Sequence, residues 1–184
     1  RNDKDDYEEY QRKEVGNIGE KLVRSELKQL EAVGYAVING AALKYKGVVK
    51  EYDHIVIGRN GMVIIETKAF GMTDGRPAKA ELVIGAGDKW TIRRNGNVRE
   101  LKSPTEQILE EKTLMENVIS SCPVKIHMVL ALSNSQITVK KNIKLPYDVV
   151  RIDSLLEHIR TYHDRLTKTD KMDILKDIDK SRVN

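Results

Sequence analysis

Three charged residues sit inside stretches of chain that are otherwise built for burial. Asp53 lies within Tyr52-Asp53-His54-Ile55-Val56-Ile57-Gly58, and Glu66 and Lys68 close Val63-Ile64-Ile65-Glu66-Thr67-Lys68. Both runs are apolar and β-branched, so both read as buried strands. A charge in such a strand is costly unless it is paired or binds a metal. Between the runs lies Gly58-Arg59-Asn60-Gly61, a hairpin signal. With Arg59 and Asn60 as the loop, Asp53 faces Glu66; with Asn60 and Gly61, it faces Lys68. Side chains alternate along a strand, so Glu66 and Lys68 share a face. Either register brings Asp53 to that face, and the apolar pattern opposes a one-residue slip. A cross-strand salt bridge at a sheet edge is the plain alternative. Two acids and one lysine form a cluster that a metal completes better.

Two carboxylates converging on one point suit a hard divalent cation, Mg²⁺ or Mn²⁺, which takes oxygen ligands and keeps several waters. Asp53 and Glu66 would each give an oxygen, and the backbone carbonyl of Thr67 a third. Such a cation lowers the pKa of a bound water and offsets charge on a phosphoryl oxygen. Lys68 beside it can orient the attacking water, help to deprotonate it, or stabilise a crowded phosphate. These parts suit phosphodiester hydrolysis and would serve redox chemistry poorly.

The positioning elements are legible in outline. Asp3 to Val33 reads as a long helix with Val15, Ile18, Leu22, Val23, Leu27 and Leu30 on one face. Gly16 and Gly19 within it imply close backbone packing, since each costs about 1 kcal/mol against alanine. Gly34 stops the helix and a strand begins at Tyr35–Asn39, followed by strands at Glu51–Ile57 and Met62–Thr67. Phe70 to Lys79 contains Gly71, Gly75 and Pro77 and reads as a loop beside the site, long enough to serve as a lid. Lys89–Arg93, Asn95-Gly96 and Val98–Leu101 spell a hairpin, with Trp90 packed inside it rather than offered to a base. Pro104 starts a helix running to Ser120, with Gln107 in its first turn. Val124–Leu132 is apolar enough for the sheet centre. Val149–Arg151 is a last short strand, Asp153 caps a helix over Ser154–Tyr162, and a final helix covers Asp170–Asp179. The sum is an α/β fold, a mixed central β-sheet with helices on both faces. His54, His127, His158 and His163 lack zinc spacing and read as structural or surface residues.

The 184 residues are 40% hydrophobic and 33% charged, which suits one soluble domain over residues 1–184. Its core is expected over about residues 14–163, with residues 164–184 as a helical extension. No apolar run approaches a membrane span. The chain opens on Arg1, so a preceding segment remains open. Cys122, a single cysteine, excludes an intrachain disulfide and a cysteine zinc site, and reads as a structural thiol of a reducing, cytoplasmic compartment. The net charge is +4. Three basic groups (Lys44, Lys46 and Lys50; Lys89, Arg93, Arg94, Arg99 and Lys102; Lys140, Lys141 and Lys144) flank the acidic residues, as a phosphate backbone would need.

Asp53 followed by Glu66-Thr67-Lys68 on a hairpin resembles the core of the PD-(D/E)XK nuclease superfamily, restriction-endonuclease-like in fold. The fuller pattern resembles the nuclease-related domain (NERD) family. It comprises Gly16-Asn17-Ile18-Gly19-Glu20, Tyr52-Asp53-His54-Ile55-Val56-Ile57-Gly58, Ile65-Glu66-Thr67-Lys68 with Gly71 following, and Pro104-Thr105-Glu106-Gln107. Tyr52 departs from it, where an aliphatic residue is expected. The resemblance implies an Mg²⁺- or Mn²⁺-dependent hydrolase acting on DNA, with RNA open. It implies that Glu20 reaches the metal, directly or through water, and that Gln107 supports the site. From the residues alone both are equally or better read as ordinary polar helix positions. A Holliday-junction-resolvase-like or restriction-type endonuclease is a rival within the superfamily. A nucleic-acid-binding module without turnover is a rival outside it. Such domains dimerise and occur beside others, so a homodimer or a larger assembly is open.

Overall fold

The fold turns on the hairpin that carries the acids. In the computed structural model, which describes residues 3–183, β2 (Val48–Gly58) and β3 (Gly61–Lys68) pair antiparallel, with Gly58 opposite Gly61. Arg59 and Asn60 are therefore the loop, the first of the two expected registers. Arg1, Asn2 and Asn184, the ends of the unit expected over residues 1–184, lie outside the described residues. The loop is held from two sides. Tyr35 Oη donates to Asn60 Oδ1 at 2.7 Å, and Asn60 Nδ2 donates to the Ile159 carbonyl at 3.1 Å. β1 (Ala36–Tyr45) pairs antiparallel with β2, while β7 (Ile126–Leu132) and β9 (Asp148–Arg151) extend the sheet in parallel beyond β3. The order is β1-β2-β3-β7-β9, a mixed sheet as expected, with β3 at its centre.

One face of this sheet packs on α1 (Asp3–Glu31) and α3 (Leu155–Arg160), burying Val23, Leu27, Leu30, Leu155 and Ile159 against Val56, Val63, Ile65 and Val129. The other face departs from expectation. Besides α2 (Thr105–Val118) and α4 (Lys168–Ser181), it receives a second sheet in the order β6-β5-β4-β8. Only its hairpin, β5 (Lys89–Arg94) and β6 (Asn97–Leu101), was legible; β4 (Ala80–Gly85) and β8 (Ile137–Lys141) were not. Leu82, Ile84, Trp90 and Ile92 of this sheet share a core with Ile55, Ile57, Ile64 and Leu130. Trp90 is fully buried, its Nε1 donating to Asp88 Oδ1 at 2.8 Å. Ile174 and Ile178 of α4 lie in the same core.

Several local expectations need correction. β1 starts at Ala36, one residue later than expected, and runs on past Gly40, whose φ of +68° is accessible to glycine without strain. The β1–β2 pairing skips Gly40 and Asp53. On either side of the skip the same core face is presented by Ile55 and by Tyr52, three residues apart rather than two. The ribbon thus switches faces at Asp53, which frees that side chain from the ladder. Asp153 does not cap α3; its carboxylate takes two 2.7 Å bonds from Arg151, and a 3-10 turn over Ile152–Ser154 precedes the helix. α4 starts earlier than expected, at a capping box between Thr167 and Asp170. Leu22 is 38% exposed, off the buried stripe of α1.

The segment after β3 is fastened rather than free. Asn134, fully buried, donates through Nδ2 to the carbonyls of Phe70 and Ala78, at 3.0 and 2.8 Å, and accepts from the amides of Ala78 and Gln136 through Oδ1. These bonds tie both ends of the expected lid loop to the strand end of β7. α1 presses on the same point through Gly19, where a Cβ would meet Ser133 Oγ at 2.7 Å and Ala69 Cβ at 3.2 Å. Gly16, expected to pack closely too, has nothing within 4 Å of that position. The two glycines should therefore respond oppositely to alanine. Gly19→Ala should destabilise by about 1–3 kcal/mol through overpacking, and Gly16→Ala should stabilise by up to about 1 kcal/mol through helix propensity. Urea denaturation followed by Trp90 fluorescence would read both; equal shifts of one sign would refute the packing described.

Candidate active site

The candidate site forms where β2 and β3 leave their ladder. Their pairing ends at His54 opposite Ile65, so Asp53 and Glu66 are the next residues along. Asp53 Oδ2 accepts the Thr67 backbone N–H at 2.8 Å, replacing the lost ladder bond. The N–H of Thr67 therefore faces β2, and its carbonyl, on the same side of the strand, does too. Glu66 continues the face carrying Met62 and Ile64, towards α2, and is only 5% exposed. Gln107 Nε2, from the first turn of α2, donates to Glu66 Oε1 at 2.9 Å. Glu20 comes from α1, across the sheet, and feels the charges of Asp53, Glu51 and Lys68. All five expected site residues thus meet at one end of the sheet.

A sixth group completes the cluster. Glu111, one turn after Gln107, is 1% exposed and close enough to Glu66 and Gln107 for both to shift its carboxyl. A signal for it existed. The buried positions of α2 include Ile108, Glu111, Met115 and Val118, so Glu111 interrupts an apolar stripe at helical spacing. Tyr52 is connected to it: its hydroxyl donates to the Glu111 backbone carbonyl at 2.6 Å. The residue that departs from the expected aliphatic thereby locks α2 to β2 beside the acids. His54 points away, donating to Asn39 Oδ1 at 2.7 Å, and burial lowers its pKa to about 4. His127 pairs with Asp164 and stacks on Tyr162 at 3.8 Å, a structural role.

Electrostatically the site is overloaded. Burial, then the neighbouring charges of Asp53 and Glu111, push the Glu66 carboxyl well above the usual carboxylate range. Burial likewise raises Glu111 and Asp53, although the Thr67 amide and Lys68 partly offset the rise at Asp53. Burial and then Asp53 raise Glu20. The Lys68 ammonium favours the charged form of all four acids and offsets the rise at each only in part. Glu111 Oε2 is buried with no hydrogen-bond partner. Crowded carboxylates, a single ammonium and an orphaned carboxyl oxygen fit a divalent cation.

Among the described residues, no group of three or more His, Cys, Asp or Glu side chains is arranged to hold a metal ion unaided. A cleft of about 790 Å³ adjoins the site on the other flank of α2, lined by Tyr45, Lys46, Leu109 and Glu110 among others, and contains none of these acids. Among the described residues, no helix is long and apolar enough to cross a membrane.

A mixed sheet with an aspartate on one hairpin strand and Glu-x-Lys at the end of the next defines a PD-(D/E)XK-like nuclease domain. The model of the nuclease-related domain family matches residues 15–133, and the chain belongs to that family. No curated protein and no solved structure matches it.

The raised acids fix a pH dependence. A carboxyl whose folded pKa exceeds its unfolded value near 4.5 keeps its proton longer in the folded state, so metal-free stability falls as pH rises above 4.5. Buried His54 acts the other way up to about pH 6.5, so the melting temperature in EDTA should fall between pH 6.5 and pH 8, and Mg²⁺ should recover most of the loss. Glu66→Gln should raise the pH 8 value in EDTA, by about 2–4 °C for each kcal/mol of relieved repulsion, and blunt the response to Mg²⁺. A melting temperature that climbs between pH 6.5 and pH 8 in EDTA would contradict the buried-acid arrangement.

Proposed function

We propose that this chain is a divalent-metal-dependent nuclease that hydrolyses the phosphodiester bonds of DNA. The observation that carries the reading is the buried Glu66 carboxyl, held by Gln107 and flanked by Asp53, Glu111 and Lys68. Asp53, Glu66 and the Thr67 carbonyl would hold Mg²⁺ or Mn²⁺, with Glu20 of α1 reaching the cation through a water. The bound cation supplies Lewis acidity and neutralises charge at the scissile phosphate.

The remaining work falls to the chain. Gln107 fixes one Glu66 oxygen through its amide, so the carboxylate rotor is set before substrate arrives. The Thr67 amide fixes Asp53 in the same way. Lys68 stands where a fixed ammonium can orient the attacking water and stabilise the charge that develops on the phosphoryl oxygens. Glu20, exposed at the rim, would accept a hydrogen bond from a metal-bound water. DNA is taken over RNA on the motif resemblance alone, since the family description specifies no nucleic acid.

Cleavage of supercoiled plasmid, labelled single-stranded DNA and RNA with Mg²⁺, Mn²⁺ or EDTA tests the reading. Metal-dependent cutting of DNA should fall roughly 10²-fold or more in Asp53→Ala and in Lys68→Ala. Folded wild type that cuts nothing, or variants that cut as wild type does, would leave a binding module. Cutting confined to RNA would correct the substrate.

A further inference from the structure

We infer that a basic groove at the end of the second sheet, about 450 Å³ in volume, binds the backbone phosphates of DNA beyond the scissile bond. This rests on the nuclease reading above. The groove is lined by Lys79, Arg93 and Arg94 on its charged side and by Asn95, Gln136 and Thr138 among its neutral donors. Glu81 is its single carboxylate, 3.7 Å from Arg93. The side chains of Lys79, Arg94, Asn95 and Gln136 have no hydrogen bond or ion pair among the described residues.

The platform under these donors is rigid. Thr138, Glu81 and Arg93 are cross-strand neighbours on β8, β4 and β5. Asn95 and Gly96, with φ of +49° and +76°, close β5 onto β6 in a two-residue hairpin turn of the primed kind. Cations in a concave surface, Lys79 and Arg94 unpaired and Arg93 shared with Glu81, are what phosphate oxygens require, and guanidinium groups match them with paired donors.

The groove also lies within reach of the catalytic centre. One nitrogen, Asn134 Nδ2, binds the carbonyls of both Phe70 and Ala78, so those oxygens are within about 6 Å of each other. Lys68 precedes Phe70 by two residues and Lys79 follows Ala78 directly. The backbone at the catalytic lysine and the first groove residue are therefore at most roughly 15–20 Å apart, about four to six stacked base pairs. The larger cleft beside α2 is the weaker place for phosphate. It carries Asp88, Glu106 and Glu110 against Lys46 and Lys50, and Lys50 is already bound to Glu110.

The test is fluorescence anisotropy of a labelled DNA duplex in EDTA over a series of salt concentrations. It compares wild type, Arg93→Gln/Arg94→Gln, and Lys176→Gln/Lys180→Gln, which removes the same charge from α4. The groove variant should bind about tenfold more weakly at moderate salt, and its slope of log affinity against log salt should shrink by about 2, near 0.9 for each lost phosphate contact. In plasmid cutting it should raise KM and leave kcat unchanged. A groove variant that binds and cuts like the α4 control overturns the groove while leaving the nuclease reading intact. Wild type that neither cuts nor binds DNA overturns both. Circular dichroism of each variant separates loss of contact from loss of fold.

Discussion

The burial of one carboxyl group constrains everything around the site. Glu66 ends an apolar strand, is 5% exposed, and has Asp53 on one side and Glu111 on the other. A buried charge of this kind is tolerated only if its surroundings answer it. Here they do so in part, with Gln107 and the nearby Lys68. The remainder is left as repulsion among acids whose protons are held abnormally tightly. A fold built only for stability would replace one of these carboxyls by an amide or an aliphatic group. That the repulsion is retained, in a core where Ile64 and Ile65 are fully packed, argues that the site is built to hold a cationic ligand.

Such a site needs a stiff frame, since the acids would otherwise drift apart. Three devices hold them. The Tyr52 hydroxyl pins α2 to β2 at the level of Glu111. The Thr67 amide clamps Asp53 where the hairpin ladder ends. Gly19 lets α1 approach Ser133 and Ala69 closely enough to carry Glu20 to the strand ends. Asn134 then ties the following loop back onto the same strand ends. The acids come from two strands and two helices on opposite faces of the sheet, yet each is fixed by a bond or contact made within one or two residues of it.

The hairpin was legible because its signals were redundant. Apolar alternation, a Gly-Arg-Asn-Gly turn and misplaced charges all restricted Asp53 to the face of Glu66 and Lys68, whichever register was used. Glu20 and Gln107 were legible only through family resemblance, because a glutamate on a polar helix flank and a glutamine in a first turn carry no local mark. Glu111 did carry one, an acid within an apolar stripe. The mark is faint because a lone acid in a helix that also carries Glu106, Glu110 and Glu116 resembles one more solvated charge.

The second sheet was harder to see for a topological reason. β4 and β8 are each other's parallel partners, and more than fifty residues separate them in sequence. A parallel pair leaves no turn signature between its strands, and β8 presents Thr138, Val139, Lys140 and Lys141 outward, so only Ile137 marks its buried side. The hairpin β5–β6, with Asn95-Gly96 at its tip, announced itself locally and so appeared to stand alone. Its unseen neighbours change its meaning. A lone hairpin would leave Arg93 and Arg94 as mobile surface charges. Four strands, packed through Trp90 and Leu82 on the main core, hold the same arginines at fixed positions beside the loop that leads to Lys68.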